Sequence, residues 1–158
     1  MAQLLAGAVL SVCSVAQNSD LNQAGFEALV TTVVNNVGNV GAFGNDQQVE
    51  AYNELSTVVT QNAKSVVNAG TPSIECARNP SDAGQIIMRT LSAPGDKNAY
   101  VLKFEHNDAP AGFTNTVQWL RGVITGPVYP NGTVTDWALE VYTASLNQVV
   151  LTVDPVAL

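Results

Sequence analysis

A lone imidazole limits what chemistry this sequence could perform. His106 is its only histidine, so a Ser-His-Asp or Cys-His arrangement could be built in one place alone. It stands at the end of an alternating run and beside Asn107, Asp108 and Pro110, where a polar residue entering a turn accounts for it. No GxSxG elbow, GxxxxGK[ST] phosphate loop or post-strand GxGxxG is present. Cys13 and Cys76 have neither CxxC nor Cys/His spacing around them, which points to two free thiols and gives no support for a metal site. The carboxylates are scattered. Two of them could meet in space as a glycosidase pair, but any acidic chain allows that. Trp119, Trp137, Tyr100 and Phe104 could stack on a ligand, although core packing is the simpler use of such rings. Asn131-Gly132-Thr133 matches a glycosylation sequon and equally a hairpin turn. The expectation is a protein that is not an enzyme, with no catalytic residue, metal or cofactor.

Charge and length bound the remaining classes. The chain has 158 residues, 13 acids against 6 bases, and a net charge of −7. Stable nucleic-acid binding needs basic residues to replace phosphate counterions, and here no two bases are adjacent. A DNA-binding domain is therefore not expected, although an acidic chain could still line a path that DNA passes through without sticking, because like charges repel. Apolar residues make up 46% and charged residues only 12%, about half the usual share for a soluble domain. That scarcity of charge is expected if partner subunits cover part of the surface.

Residues 4–13 (Leu-Leu-Ala-Gly-Ala-Val-Leu-Ser-Val-Cys) look like a secretory h-region, and Leu10-Ser11-Val12-Cys13 like a lipoprotein box. No Lys or Arg precedes the run, and a signal peptide needs a positive n-region. At about a dozen residues it is too short to span a bilayer. It therefore reads as an apolar arm or edge strand.

The elements that position these residues are mostly strands. β-Branched runs occupy residues 29–34, 57–60 and 149–153, and branching at Cβ favours the extended chain. Residues 98–106 alternate, with Tyr100, Leu102 and Phe104 on one face and Lys103 and Glu105 on the other. Residues 115–125 and 133–143 continue the pattern, with Pro130-Asn131-Gly132 between them as a hairpin turn, so the second half reads as a meander. One amphipathic helix is predicted at about residues 81–92. Ser81 or Asp82 can cap it, Asp82 and Gln85 have capping-box spacing, and Ala83, Ile86, Ile87 and Leu91 form the apolar stripe. Residues 46–67 fit a helix through Val49, Tyr52, Val59, Ala63 and Val66 but a strand through 57–60, and periodicity leaves both open.

The order of these features resembles the tail tube (major tail) protein family of long-tailed bacteriophages. Ala24-Gly25-Phe26-Glu27-Ala28-Leu29, then Val40-Gly41-Ala42-Phe43-Gly44, is similar to the family's Gly-aromatic and Gly-x-Phe-Gly opening. Tyr52-Asn53-Glu54-Leu55 and a polar stretch follow. Arg78-Asn79-Pro80 leads into Ser81-Asp82-Ala83-Gly84-Gln85, like the family's Asp-x-Gly-Gln helix start. Residues 117–124 resemble its strand with an aromatic shortly before a glycine. The likeness spans most of the chain after about residue 24, and order rather than any one motif carries it.

The resemblance implies a single domain over residues 1–158: a β-sandwich or half-barrel with one flanking helix, six copies forming a ring whose inner strands join into one β-barrel. Rings would stack through a loop at residues 57–70, with Gln61, Asn62, Ala63, Lys64 and Ser65 at its centre. Arms at residues 1–16 and 148–158 would add contacts through Leu4, Leu5, Val9, Val150 and Val153. The implied partners are further copies, a tape-measure protein, and terminator or tip proteins. DNA would pass through an acidic or neutral lumen without specific binding, with no membrane, in a virion tail assembled in the host cytoplasm. Two other readings stand beside it: the inner tube of a contractile apparatus, and a secreted or surface β-sandwich that binds a ligand.

Overall fold

The computed structural model describes residues 4–158; the first three residues of the expected N-terminal arm lie outside them. Ten strands and two helices follow in the order β1 (Val9–Val12), α1 (Gln23–Glu27), β2 (Thr32–Val34), β3 (Val37–Val40), β4 (Asp46–Tyr52), β5 (Gln61–Asn68), β6 (Ser73–Ala77), α2 (Ala83–Leu91), β7 (Tyr100–Glu105), β8 (Val117–Val128), β9 (Leu139–Leu146) and β10 (Leu151–Val153). Eight strands form one antiparallel sheet along the path β2-β1-β7-β8-β9-β6-β3, and β10 also pairs with β8. β4 and β5 form a separate two-stranded ribbon.

The two ends of that path, β2 and β3, are joined by Asn35 and Asn36 alone. Three peptide steps hold Val34 and Val37 within about 11 Å of each other, so the sheet must curl back on itself. Asn36 makes the turn at φ 61°, a left-handed conformation that asparagine tolerates. The result is a half-barrel whose edges approach without hydrogen bonding to each other, in agreement with the mainly β expectation.

Register assigns the faces. Leu10 lies opposite Phe104, Val12 opposite Leu102, Leu102 opposite Leu120, Ile124 opposite Ala144, and Tyr142 opposite Ile74. Cross-strand partners share a face, so these side chains form one continuous concave core, joined by Val34, Cys76, Met88 and Leu91. On the outer face of one half, Cys13, Val101 and Trp119 are covered by Phe26 of α1, with Leu21, Leu151 and Val153 packed around them. Phe26 stacks on Trp119 at 5.5 Å between ring centroids. β8 serves both halves, pairing with β7 as far as Gly122 and with β9 from Gly122 onward. At that junction a Cβ would come within 2.2 Å of the Ser145 carbonyl oxygen, so only glycine fits.

Helix α2 packs against the strands near this seam. Asp82 caps it as expected, its carboxylate accepting from the Gln85 N–H at 3.0 Å. The predicted apolar stripe is displaced. The buried positions are Gly84, Gln85, Met88 and Leu91, while Ala83 and Ile86 face solvent. Gly84 explains the rotation: a Cβ there would sit 2.2 Å from the Val33 carbonyl oxygen, so the helix lays its backbone directly on β2. The reciprocal half of the capping box is also absent. The Gln85 side chain is drawn inward, accepting from the Asn79 N–H and donating to the carbonyls of Asn35 and Ala77.

Several other expectations change. β1 is neither arm nor edge strand; it lies between β2 and β7, with Val12 fully buried, because its Leu10 and Val12 complete the core. Residues 57–60 form no strand. The β4–β5 register, Tyr52 opposite Gln61, leaves them in the ribbon's tip with no neighbour to pair with. Of the run at residues 29–34, only Thr32–Val34 is extended, since α1 precedes it. The turn expected at residues 130–132 is a longer connection, and β9 starts at Leu139 rather than near residue 133. The last strand, β10, pairs with β8 beyond the end of β9.

Candidate functional site

The densest polar cluster joins α2 to the sheet. Glu140, wholly buried on β9, accepts both contacts of the Arg89 Nε at 3.0 and 3.1 Å. Tyr142 donates to the same carboxylate at 2.7 Å, and the Arg78 Nε lies 3.3 Å away. Arg89 also donates to the Gln85 side chain and the Asn79 carbonyl. Burial, reinforced by the Glu140 charge, pushes the Cys76 thiol up to about 11 and raises the Tyr142 hydroxyl as well. A thiol held in its protonated form is a poor nucleophile. No buried side-chain nitrogen or oxygen among the described residues lacks a partner. A satisfied cluster of this kind fixes one packing of helix on sheet.

Asp82 belongs to the same seam. Burial works to raise its pKa, but hydrogen bonds from the Asn35 side chain and from the N–H groups of Gln85, Asn35 and Gly84 outweigh this and hold it below the usual carboxylate range. A depressed folded-state pKa contributes stability above the unfolded pKa, and that stability disappears as pH falls through the folded value. Asp82→Asn keeps a good N-cap while removing the charge. We expect it to cost about 1 kcal/mol near neutral pH and to lose less stability than the wild type on going to about pH 3. Urea midpoints at the two pH values check this; parallel losses in both proteins would disprove it.

Arg121, a buried cation, ties segments near both chain ends to the sheet. It donates to Gln148 at 3.0 Å and to the Gln17 carbonyl at 3.3 Å, and pairs with Asp20. Gln148 in turn exchanges hydrogen bonds with the backbone of Leu21. The expected C-terminal arm is therefore docked, with Val150 packed on the main core and Val153 on the outer cluster. Of the N-terminal set, Leu4 and Leu5 are exposed and Val9 lies in β1. Leu5 borders a cavity of about 130 Å³ between β1, β3 and Phe104.

His106 is accounted for by Gln118, 2.9 Å from its Nε2, and by the edge of Phe104. Both cysteines are free and buried, so no disulfide joins them. Of the four aromatic candidates, Trp119, Tyr100 and Phe104 are core residues, but Trp137 is 80% exposed. Among the described residues no group of three or more His, Cys, Asp or Glu could hold a metal ion.

Among the described residues, three exposed or half-buried surfaces could take a partner. The first is the β4–β5 ribbon, where Gln61, Asn62, Ala63, Lys64 and Ser65 all lie in β5 and are exposed. Val49, Tyr52, Leu55, Val58, Val59 and Val66 are also in solvent. An isolated hairpin with no apolar face buried is at best marginally stable. The second is the connection at residues 129–138, which exposes Val134 and Trp137. The third is the outer face of β6, β9 and the end of β8. Pairing of Glu75 with Val141, of Thr143 with Ser73 and Thr125, and of Ser145 with Val123 puts these side chains on it. Glu75 is the one charge in that set.

No known protein family matches the sequence, and no curated protein matches it. In shape the chain is similar to a chain of the cryo-EM structure of the anti-feeding prophage baseplate, 6-fold symmetrised. The TM-score is 0.62 over 98% of this chain and 98% of that one, at 8% sequence identity, so what the two share is the fold.

Proposed function

We propose that this chain is a structural subunit of a phage-type tail tube, forming stacked rings through which DNA passes. The observation that carries this reading is the likeness to a baseplate chain over nearly the whole of both chains. The geometry is compatible with it. A half-barrel leaves edges that invite pairing, and closing a ring between copies removes them. The ribbon supplies apolar surface well outside the core, as a stacking element would. The uncovered face of β6 and β9 suits a lumen, since Ser73, Thr125, Thr143 and Ser145 offer neutral hydroxyls and Glu75 repels a polyanion. The baseplate setting of the neighbour favours one variant of this reading, the inner tube of a contractile apparatus. The remaining implied partners are tape-measure, terminator and tip proteins of the same particle.

Negative-stain electron microscopy across a concentration series tests the proposal. Rings or hollow tubes of uniform width are the expected result. Dispersed single subunits at every concentration would count against a self-assembling tube.

A further inference from the structure

We infer that Asn131–Gly132 is a site of spontaneous covalent modification, at which the asparagine cyclises to a succinimide and opens to aspartate and isoaspartate. Asparagine is among the thermolabile residues, and its lability depends on whether the next backbone nitrogen can reach its side chain. Asn131 is the one asparagine in the sequence followed by glycine. It lies in an exposed connection that belongs to no helix or strand. Among the described residues neither its side-chain amide nor the Gly132 N–H has a hydrogen-bond partner, whereas Asn18, also exposed, is held at both ends of its amide by Asn98 and Ala99.

The restraint in this connection begins one residue later. Asp136 accepts from the Thr133 N–H at 2.7 Å and from its hydroxyl at 3.2 Å, and its own N–H donates to the Thr133 carbonyl at 3.1 Å. That turn brings the Asp136 carboxylate against Gly132, where a Cβ would meet it at 2.1 Å. The absence of a Cβ at Gly132 leaves its nitrogen unhindered.

In the reaction the Gly132 nitrogen bonds to the Asn131 Cγ. The bond from Cγ to the side-chain nitrogen breaks, and ammonia leaves with the proton that Gly132 gives up. Water then opens the ring. Attack at Cγ yields aspartate, and attack at the backbone carbonyl yields isoaspartate, in which the chain runs through one additional methylene. No oxidant or reductant is needed. Either product makes the chain one unit more negative. The new carboxylate faces a cavity of about 320 Å³ that Arg78 also lines. Arg78 has charge available for it, since Glu140 is already shared with Arg89.

The test incubates the intact chain in mildly alkaline buffer, folded and in denaturant, and follows it by intact mass and tandem mass spectrometry. The expected result is a rise of about 1 Da localised to residue 131, with isoaspartate as the larger product. The rate in the folded protein should lie within about threefold of the rate in the unfolded chain, because the fold does not restrain this position. Asn147, in the same tryptic fragment, serves as the internal reference, and Asn131→Gln should show no such rise. Conversion at Asn131 no faster than at Asn147, or slowed by more than about tenfold on folding, would overturn the inference.

Discussion

Glu140→Ala is expected to lower the unfolding free energy by about 3–5 kcal/mol, among the largest effects of any single side-chain truncation in this protein. The carboxylate is fully buried and joins Arg89, Arg78 and the Tyr142 hydroxyl. Removing it leaves the Arg89 guanidinium beside α2 without its counter-ion and the Tyr142 hydroxyl without its acceptor. An uncompensated charge in the interior is far costlier than the intact pair is favourable. The same asymmetry gives a control. Glu140→Leu combined with Arg89→Met removes both charges together and should recover most of the loss. Urea denaturation of the two variants distinguishes the cases. A loss under about 1 kcal/mol in Glu140→Ala would mean that water reaches the cluster, and that it does not lock the helix in place.

The second large effect concerns assembly and leaves the fold unchanged. Deleting Gln61–Ser65 removes most of β5 and with it the ribbon, since Val49 through Tyr52 pair with Gln61 through Lys64. The ribbon belongs to no other sheet and buries almost none of its side chains. The deletion should therefore shift the thermal midpoint by no more than about 4 °C, the equivalent of roughly 1 kcal/mol in a domain of this size. Tubes, by contrast, should be lost entirely. Electron microscopy beside a thermal melt reads both quantities. Tubes of normal length from the deleted chain would show that rings stack through another surface, and the exposed connection at residues 129–138 would then be the next to alter. Loss of the fold itself would show that the ribbon is part of the core, contrary to its exposure.

Much of the architecture could be read from the sequence because it depends on neighbours in the chain. Alternation placed Tyr100, Leu102 and Phe104 on one face of β7, and all three are buried. Asp82 was identifiable as a helix cap because a cap acts within one turn. A resemblance in feature order pointed to the tail tube family, and the likeness to a baseplate chain, at 8% identity, shows a shared fold alone.

What the sequence by itself determined, then, is what is local: strand and helix propensity, the helix start, the acidic balance and the scarcity of charge. Tertiary structure decided everything that depends on which distant segments meet. The residues at 57–60 favour strands by propensity, yet they have no partner strand and form a tip. Residues 9–12 of the N-terminal run were expected in an arm but lie inside the sheet, because β2 and β7 happen to flank them. The stripe of α2 was displaced by the close approach of Gly84 to Val33, a contact between segments some fifty residues apart. Glu140 and Arg89 carry no signature in sequence, since an ion pair becomes structural only when burial removes water from it. Which acid could face a lumen also waited on register: a one-residue slip would turn Glu75 into the core and Cys76 outward.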